Sequence, residues 1–448
     1  MSDFAEPRSK RTNGSLLKIL GVGFGVAVVI GNTISAGIVR TPGAIASWLP
    51  SVELFLGVWI LGGVYALLGA NALAELGAMI PGSGGQYAFS RRALGNYAGF
   101  IVGWSDWLST CGSTATVAVV IGEYTEVLVP TLTGHRVGIA VGVAVFFALV
   151  QSCGLRWGSW TQNLTSSLKG LGFVLLVAAV FLLGGSAATP TGVRDTGPLL
   201  VSVVLALQAV IYTYDGWSGP VYFGEELRNP GRDVPRALFL GCLGVLGIYL
   251  LLNAALVYVL PLGQIAGDNF AVGSVARSLS MSYGDTAVRS LMVLSMLAGI
   301  NAYHLMATRV LLGLSRDGLF PLAAVRVNRG GTPTAALWAS AGIAVLFILW
   351  SATFQRLIAV MSFFFVANYS MSFVSLFVLR RREPITPRPF LAWGHPWTTG
   401  LALLGSLAFL AGAVVGDTEN SLWALACLAA SYPAYRMTRR ATSAHTAH

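Results

Sequence analysis

The sequence predicts an all-α integral membrane protein with twelve transmembrane helices, and the composition is the first reason. Of its 448 residues, 55% are hydrophobic and only 10% are charged, whereas ordinary soluble domains carry about 25% charged residues. A soluble chain of this length could not cover its surface with so few charges, so most of it must face lipid or other apolar segments. The composition therefore argues against a cytosolic enzyme, a nucleic-acid-binding protein and a secreted disulfide scaffold.

Twelve segments are long and apolar enough to cross a bilayer, which takes about 20 mostly apolar residues each. They lie near residues 16–47, 54–80, 88–127, 136–154, 164–187, 198–224, 236–260, 286–315, 333–352, 355–380, 398–416 and 421–438. Residues 1–15 and 439–448 are predicted to form short tails. No removable signal peptide is expected ahead of the first segment.

The basic residues predict the orientation of these spans. With twelve spans, both termini lie on the same side, and the tails and loops of that side carry most of the 28 lysine and arginine residues. The opposite side carries only Arg40, Arg136, Arg194, Arg277, Arg289 and Arg356. Because lysine and arginine mark cytoplasmic loops, both termini are predicted to be cytoplasmic, and the net charge of +10 reflects this orientation.

The first and sixth spans are interrupted by similar runs of glycine, hydroxyl and β-branched residues. Residues 31–37 of the first span read Gly-Asn-Thr-Ile-Ser-Ala-Gly and are followed by Pro42, and residues 212–220 of the sixth read Tyr-Thr-Tyr-Asp-Gly-Trp-Ser-Gly-Pro. Glycine and proline weaken a helix, and lipid offers no water to the freed backbone groups. Such breaks are tolerated where they are buried in protein or line a wet cavity. The alternative is that membrane helices are simply rich in glycine and proline.

The two breaks are five spans apart, so the sixth span runs opposite to the first. Corresponding breaks in two inverted five-helix units are typical of secondary transporters with a binding site at the membrane midplane. We therefore predict a 5+5 inverted repeat, with a first unit over residues 16–187 and a second over residues 198–380. The eleventh and twelfth helices then occupy residues 398–438.

The two breaks together predict a site for a zwitterion. Backbone N–H groups from about Ala36 to Ile38, where a half-helix begins, attract an anion such as a carboxylate. Carbonyl groups from about Tyr212 to Asp215, where another half-helix ends, can accept hydrogen bonds from an ammonium group. An α-amino acid fits this description. The predicted substrate-binding residues are Thr33, Ile34, Ser35, Ala36, Gly37, Ile38, Tyr212, Thr213, Tyr214, Asp215, Trp217 and Asn301.

Some of these residues have an ordinary structural alternative. The rings of Tyr212, Tyr214 and Trp217 could wall the pocket for the substrate side chain or could simply pack between helices. Asn301, on the eighth span, could contact the first span or the substrate.

Five motifs occur in order along nearly the whole chain. They are residues 34–43 (Ile-Ser-Ala-Gly-Ile-Val-Arg-Thr-Pro-Gly), residues 75–87 (Glu-Leu-Gly-Ala-Met-Ile-Pro to Gly-Gly-Gln-Tyr), residues 214–217 (Tyr-Asp-Gly-Trp) leading to 225–230 (Glu-Glu-Leu-Arg-Asn-Pro), residues 309–321, and residues 388–396. In this order they resemble the amino acid–polyamine–organocation (APC) superfamily of permeases, and its L-amino-acid-transporter-like branch most. In the first motif, Ser35 and Ala36 stand where the family has Gly-Ser, and Val39 stands where it has Phe.

The resemblance implies a core of ten helices in two inverted repeats, two peripheral helices, and transport by alternating access. It also implies a role for Lys169, which resembles a helix-five lysine of many sodium-independent members. There the ammonium group lies where sodium-coupled relatives bind sodium, between helices one and eight, so Lys169 is expected to couple transport to a proton. The alternative is a lysine that snorkels to the cytoplasmic end of its helix.

Four further ionisable residues lie in the spans, and three of them have two interpretations each. Asp215 could attract a cationic substrate or cap the half-helix that follows it. Arg40 could meet a substrate carboxylate or face the extracellular vestibule. Asp106 is expected to pair or hydrogen-bond within the bundle. His304 could relay protons, although a single membrane histidine is more often a packed and hydrogen-bonded neighbour.

The expected function is a sodium-independent amino acid permease, proton-coupled or an exchanger, in the cell (inner) membrane. A polyamine or organic-cation permease and a non-transporting amino acid sensor are the alternatives, and no catalytic constellation supports an enzyme. No cofactor, metal or nucleic-acid partner is predicted, and the four cysteines have no metal-like spacing. Relatives that pair with a glycoprotein do so through a cysteine in the loop after helix three. The corresponding loop, residues 123–137, contains none, so no such partner is expected.

Overall fold

The computed structural model describes residues 16–185, 198–278, 284–350 and 354–445, and these residues form an all-helical fold. Their α-helices are α1 (Val22–Thr33), α2 (Gly37–Trp48), α3 (Val52–Met79), α4 (Gln86–Leu94), α5 (Asn96–Leu128), α6 (Arg136–Ser152), α7 (Leu155–Leu183), α8 (Leu199–Tyr214), α9 (Pro230–Val259), α10 (Leu262–Ile265), α11 (Ala271–Ser278), α12 (Gly284–Arg316), α13 (Thr334–Trp350), α14 (Phe354–Arg382), α15 (Trp397–Gly416) and α16 (Thr418–His445). Short 3₁₀ helices occupy Pro130–Leu132, Gly219–Tyr222 and Leu322–Val325. The predicted N-terminal tail, Arg194, residues 186–187 of the first predicted repeat, and residues 446–448 lie outside the described residues.

Six of the described helices are long and apolar enough to cross a membrane, namely α3, α7, α9, α12, α14 and α15. The pair α1 and α2, bent by 47° at the intervening break, would be a seventh span. Helices α6, α8 and α13 are apolar but shorter. Each of the twelve predicted segments overlaps a helix or a helix pair, so the chain is a multi-pass membrane protein, while the count of twelve spans stays a prediction.

The third predicted span begins later than expected. The pattern predicted it from residue 88, but the structure has a separate helix α4 that ends at Leu94, and α5 begins at Asn96. Between them Gly95 has φ +96°, a left-handed conformation that residues with a Cβ rarely adopt. Arg91 and Arg92, just before Gly95, interrupt the apolar pattern at this turn, so the sequence does carry a signal for the boundary.

Helix α12 occupies the centre of the bundle, where it packs against α1, α5, α7 and α13. Its residues are buried without interruption from Ala298 to Ser315. At Gly299 the helix lies so close to α1 that an added Cβ would be 3.3 Å from the carbonyl oxygen of Gly31. Small residues allow such close helix approach in membranes, and this approach brings α12 beside the break in the first span.

Candidate substrate-binding site

The first span is broken where the sequence predicts it. Helix α1 ends at Thr33, and α2 begins at Gly37 after three residues that are not helical. Ala36, the residue before α2, provides no side-chain cap for the new helix. Because the first N–H groups of a helix have no partner within it, the start of α2 presents hydrogen-bond donors and the positive end of the helix dipole. Both Ala36 and Gly37 line a cavity at this point.

The second break follows the same plan. Helix α8 ends at Tyr214, and four turn residues separate it from the 3₁₀ helix at Gly219–Tyr222. Gly216 in this turn has φ +107°, and a Cβ there would lie 2.7 Å from the Cβ of Asn32 and 2.9 Å from the backbone nitrogen of Thr33. Only glycine therefore allows the two breaks to come into backbone contact.

Side chains from neighbouring helices satisfy carbonyl groups that the first break exposes. The Tyr249 hydroxyl donates to the Thr33 carbonyl at 2.7 Å and to the Thr213 carbonyl at 3.0 Å, so one residue of α9 joins both breaks. The Tyr303 hydroxyl of α12 donates to the Asn32 carbonyl at 3.3 Å. Lipid cannot supply such donors, so these tyrosines stabilise the unwound backbone of the break.

A polar cavity of about 410 Å³ lies between the two breaks. Seven predicted substrate-binding residues line it, namely Thr33, Ser35, Ala36, Gly37, Tyr212, Thr213 and Asp215. Residues that the sequence did not single out complete the lining, namely Asn32, Ser113, Thr116, Val117, Tyr303 and Phe365. The lining is rich in small and hydroxyl side chains. The cavity therefore offers side-chain hydrogen-bonding groups beside the backbone groups of the two breaks.

The missed residues of α5 had a weak signal in the sequence. Asp106, Ser113 and Thr116 are spaced seven and three residues apart, which places them on one face of a helix. This polar face points inward, as all three side chains are buried. Without knowledge of which helices neighbour the breaks, the spacing does not show that the face reaches the cavity.

The other predicted substrate-binding residues lie outside the cavity lining. Ile38 is fully buried. The Tyr214 hydroxyl donates to the carbonyl of Trp59, and its ring packs against Trp59 and Tyr249. Trp217 stacks on Tyr369 with ring centroids 4.7 Å apart. Tyr214 and Trp217 thus have the packing arrangement that the sequence left as an alternative.

Asn301 takes part in a polar cluster between α6, α7 and α12. Its side-chain amide donates to the Gly158 carbonyl and to Gln162 Oε1, each at 2.9 Å. Its side-chain oxygen accepts from Gln151 at 3.0 Å. Gln162 in turn donates to the Ala27 carbonyl on α1. Asn301 therefore reaches the first span only through Gln162.

Lys169 is fully buried in the middle of α7, against the first break. Its ammonium group donates to the Gly31 carbonyl at 2.9 Å and to the Ile34 carbonyl at 2.5 Å. Ser295 of α12 donates to the same Ile34 carbonyl at 3.0 Å. This arrangement does not fit a lysine that snorkels toward water. The charged group instead supplies donors to carbonyls of the unwound segment.

The carboxylate of Asp215 belongs to the cavity rather than to a helix cap. It accepts a hydrogen bond of 2.6 Å from the Tyr369 hydroxyl of α14, and Asp215 lines the same cavity as the start of α2. The 3₁₀ helix that follows has no side-chain cap. The site therefore holds the positive end of a helix and a carboxylate within one cavity.

Buried polar contacts connect the helices at the end of the bundle where α1 begins. Arg309 of α12 forms two hydrogen bonds with Glu226, at 3.0 and 2.8 Å, and both side chains are 0% exposed. The Glu226 carbonyl accepts from the Leu20 N–H. Asp106 accepts from the Tyr222 hydroxyl at 2.9 Å, which is the expected hydrogen bond within the bundle. These contacts join α5 and α12 to the segment at residues 222–226 at that end of the bundle.

Arg40 and His304 each have a defined partner. Arg40 on α2 forms a salt bridge of 2.5 Å with Glu123 near the end of α5, and both side chains are partly exposed. This position is one to two turns from the cavity and joins the two helices across its rim. His304 is buried on α12 with Nε2 3.1 Å from the Ala144 carbonyl, which is the packed environment that the sequence favoured.

Among the described residues, no cluster of three or more His, Cys, Asp or Glu side chains could hold a metal.

An apolar helical bundle that encloses a polar cavity between two broken helices has the architecture of a secondary transporter. Comparison with known protein families narrows the class: the model for amino acid permeases matches residues 24–431. The chain therefore belongs to the amino acid permease family of the APC superfamily, and it is a transmembrane permease rather than an enzyme.

Relatives of known activity share most of the chain. It is 27% identical over 435 residues to the serine/threonine exchanger SteT of Bacillus subtilis, which covers 94% of this chain and 97% of that protein. It is 28% identical over 390 residues to the human Asc-type amino acid transporter 1, which covers 84% of this chain and 74% of the transporter. It is 27% identical over 394 residues to the human b(0,+)-type amino acid transporter 1, with 84% and 78% covered.

Proposed function

We propose that the protein moves small neutral amino acids across the cell membrane by alternating access, without sodium, either as an exchanger or coupled to protons. The observation that carries this proposal is one cavity that is lined both by the uncapped start of α2 and by Asp215. An α-amino acid carries one negative and one positive charge a few ångströms apart. In this orientation its carboxylate meets the N–H groups near Gly37, and its ammonium group meets Asp215 and the carbonyls that end α8.

The lining supports a small and polar substrate side chain. Ser113, Thr116 and Val117 of α5 face the cavity together with Thr213. The hydroxyl groups of Ser113, Thr116 and Thr213 can hydrogen-bond a substrate hydroxyl. A site built to bind a hydroxyl group rejects an analogue that lacks it, because its own buried polar groups then stay unpaired. The activity for which the relative SteT is named, serine/threonine exchange, agrees with this preference.

Lys169 supports sodium independence and is the proposed coupling residue. The carbonyls of Gly31 and Ile34 accept hydrogen bonds from its ammonium group, and carbonyl oxygens are ligands that a hard cation such as sodium would also use. A tethered ammonium group that fills this position leaves no room for the ion. Loss of the proton from Lys169 would release the unwound segment, which links a proton to the shape of the site.

The proposal includes twelve spans in a 5+5 inverted repeat with two peripheral helices, α15 and α16. Both termini are cytoplasmic, and the membrane is the bacterial inner membrane. The excess of lysine and arginine at one end of the bundle supports this orientation. No disulfide-linked glycoprotein partner is proposed, because the loop at residues 123–137 has no cysteine.

A second candidate function is a permease for polyamines or other organic cations. The observation in its favour is again Asp215, since a carboxylate in the cavity also attracts a purely cationic substrate. The two functions differ in what they require of α2. A cation has no carboxylate for the start of that helix, so only the zwitterion uses both charged ends of the cavity.

Counterflow into proteoliposomes tests the proposal. Liposomes that contain the purified protein are loaded with unlabelled substrate, and uptake of labelled serine, threonine, alanine, phenylalanine or putrescine is followed with sodium or choline outside. Saturable counterflow of serine and threonine that is equal in both media is expected. Faster uptake of putrescine than of any amino acid would favour the cation permease. Binding of amino acids without any flux would indicate a sensor and would contradict transport.

A further inference from the structure

A second and separate groove opens at the surface of the bundle, with an open volume of about 1400 Å³. It lies between the start of α1, the start of α9 and the segment at residues 389–393. Its lining combines two basic residues with apolar and aromatic ones, namely Arg232, Arg236, Phe239, Leu240, Phe390 and Trp393. The substrate cavity shares none of these residues.

The two arginines of the groove form no ion pair with any of the residues that the structure describes. Arg232 and Arg236 are exposed one helical turn apart on α9, and within the described part of the chain neither guanidinium forms a hydrogen bond or an ion pair. Asp233, between them, is buried and accepts a hydrogen bond of 3.0 Å from the Asn229 N–H. Both α1 and α9 begin at this groove, so the positive ends of two helix dipoles add to the two guanidinium charges.

The aromatic wall of the groove is held in place by buried polar contacts. Phe239 stacks on Trp393 with ring centroids 4.9 Å apart, and Phe390 lies 5.6 Å from Trp393. Asn71 of α3 accepts from the Trp393 N–H at 3.0 Å and donates to its carbonyl at 2.9 Å. Glu75, fully buried one turn away, accepts from the Ala392 N–H at 2.8 Å. The wall is therefore fixed before any ligand arrives.

Beyond the arginines, the groove continues into the lipid-facing surface of α9. Leu240 is 55% exposed, and Leu243, in the following turn, is 53% exposed. Since α9 is apolar and long enough to span the membrane, these leucines lie at the depth of the acyl chains and the arginines at the depth of the headgroups. A soluble anion would contact only the basic part, whereas a lipid contacts the entire groove.

We propose that this groove binds one anionic phospholipid of the leaflet on the arginine-rich side. The phosphate lies against Arg232, Arg236 and the starts of the two helices, the glycerol backbone lies against the stacked rings of Phe239 and Trp393, and one acyl chain follows Leu240. Basic pockets between transmembrane helices bind anionic headgroups in this manner, and aromatic side chains favour the interface. The lipid contacts both the start of α1 and the 389–393 segment.

Native mass spectrometry of the full chain tests this proposal. The purified protein is equilibrated with equal amounts of phosphatidylglycerol and phosphatidylcholine that have the same acyl chains. The variant R232Q/R236Q is compared with R156Q/R381Q, which removes the same charge from two exposed arginines that also lack partners within the described residues. Each arginine near an anionic surface contributes about 1 kcal/mol, so loss of both should weaken the binding of phosphatidylglycerol about 30-fold.

The expected result is one retained phosphatidylglycerol on the wild type and on R156Q/R381Q, and its loss from R232Q/R236Q. Equal loss from both double variants would show that only net charge matters and would overturn the site. Equal retention of phosphatidylcholine would overturn the choice of an anionic lipid. In a further arm, inorganic phosphate is added as competitor. Displacement by phosphate at the same concentration as the lipid would identify a soluble-anion site instead.

Discussion

The substitution Lys169→Ala is the sharpest test of how the broken helix is stabilised. It removes the hydrogen bonds from the ammonium group to the carbonyls of Gly31 and Ile34. The Ile34 carbonyl keeps the hydroxyl of Ser295 as a donor, so the main loss falls on Gly31. An unpaired buried carbonyl costs about 1–3 kcal/mol, which corresponds to about a 5- to 150-fold loss in the population of the transporting geometry.

Proteoliposome counterflow measures this loss, and two further variants serve as controls. Lys18→Ala removes the same charge from an exposed position near the start of α1 and should leave uptake unchanged. Ser295→Ala removes only the second donor to Ile34 and should reduce uptake less than Lys169→Ala does, by about 2- to 10-fold. Elution of each variant from a sizing column in detergent shows whether it is folded.

The same experiment with an imposed gradient separates a coupling role from a purely structural one. If Lys169 carries the coupled proton, a proton gradient accelerates uptake by the wild type, while Lys169→Ala keeps some exchange but no longer responds to the gradient. Wild-type uptake that depends strictly on sodium would refute the assignment of Lys169 to a cation position. Full wild-type rates in Lys169→Ala would refute the carbonyl argument itself.

Three further predictions concern stability, acidity and substrate recognition. Arg309→Met leaves its fully buried carboxylate partner unpaired and should lower the free energy of unfolding by about 3–5 kcal/mol. Arg92→Gln breaks a partly exposed pair and should lower it by only about 0–1 kcal/mol. Equal unfolding midpoints for the two variants would contradict this. The hydrogen bond from Arg92 lowers the pKa of Glu383, so the stability from this pair is present above the usual pKa of a glutamate and lost as the pH falls through the lowered pKa. Wild type and Arg92→Gln should therefore differ in unfolding midpoint at neutral pH and converge in acid, and a difference that grows in acid would reverse the sign. Ser113→Val removes a hydroxyl from the cavity and should raise KM for serine about 2- to 10-fold, while Thr114→Val, which alters a buried hydroxyl outside the cavity lining, should leave KM unchanged.

Much of the membrane architecture could be predicted because lipid imposes strict rules on the sequence. The low share of charged residues and the long apolar segments predicted a helical membrane protein, and the helices overlap each segment. The interruptions at residues 31–37 and 212–220 predicted the breaks, since an unwound segment in a membrane needs glycine and polar partners. Local composition is sufficient for both predictions, because both concern the backbone N–H and C=O groups, which find no hydrogen-bond partners in lipid.

Only the tertiary structure decided which side chains meet at the cavity. Outside a regular helix there is no fixed periodicity, so adjacent residues such as Thr213 and Tyr214 could not be assigned to the cavity or to the packing beside it. The contribution of α5 through Ser113 and Thr116 depends on which helix lies against the breaks, and helix neighbours are set by packing across the whole bundle. The position of Lys169 against the Gly31 carbonyl has the same origin: two residues distant in the chain are brought together by the close packing of α1 and α7.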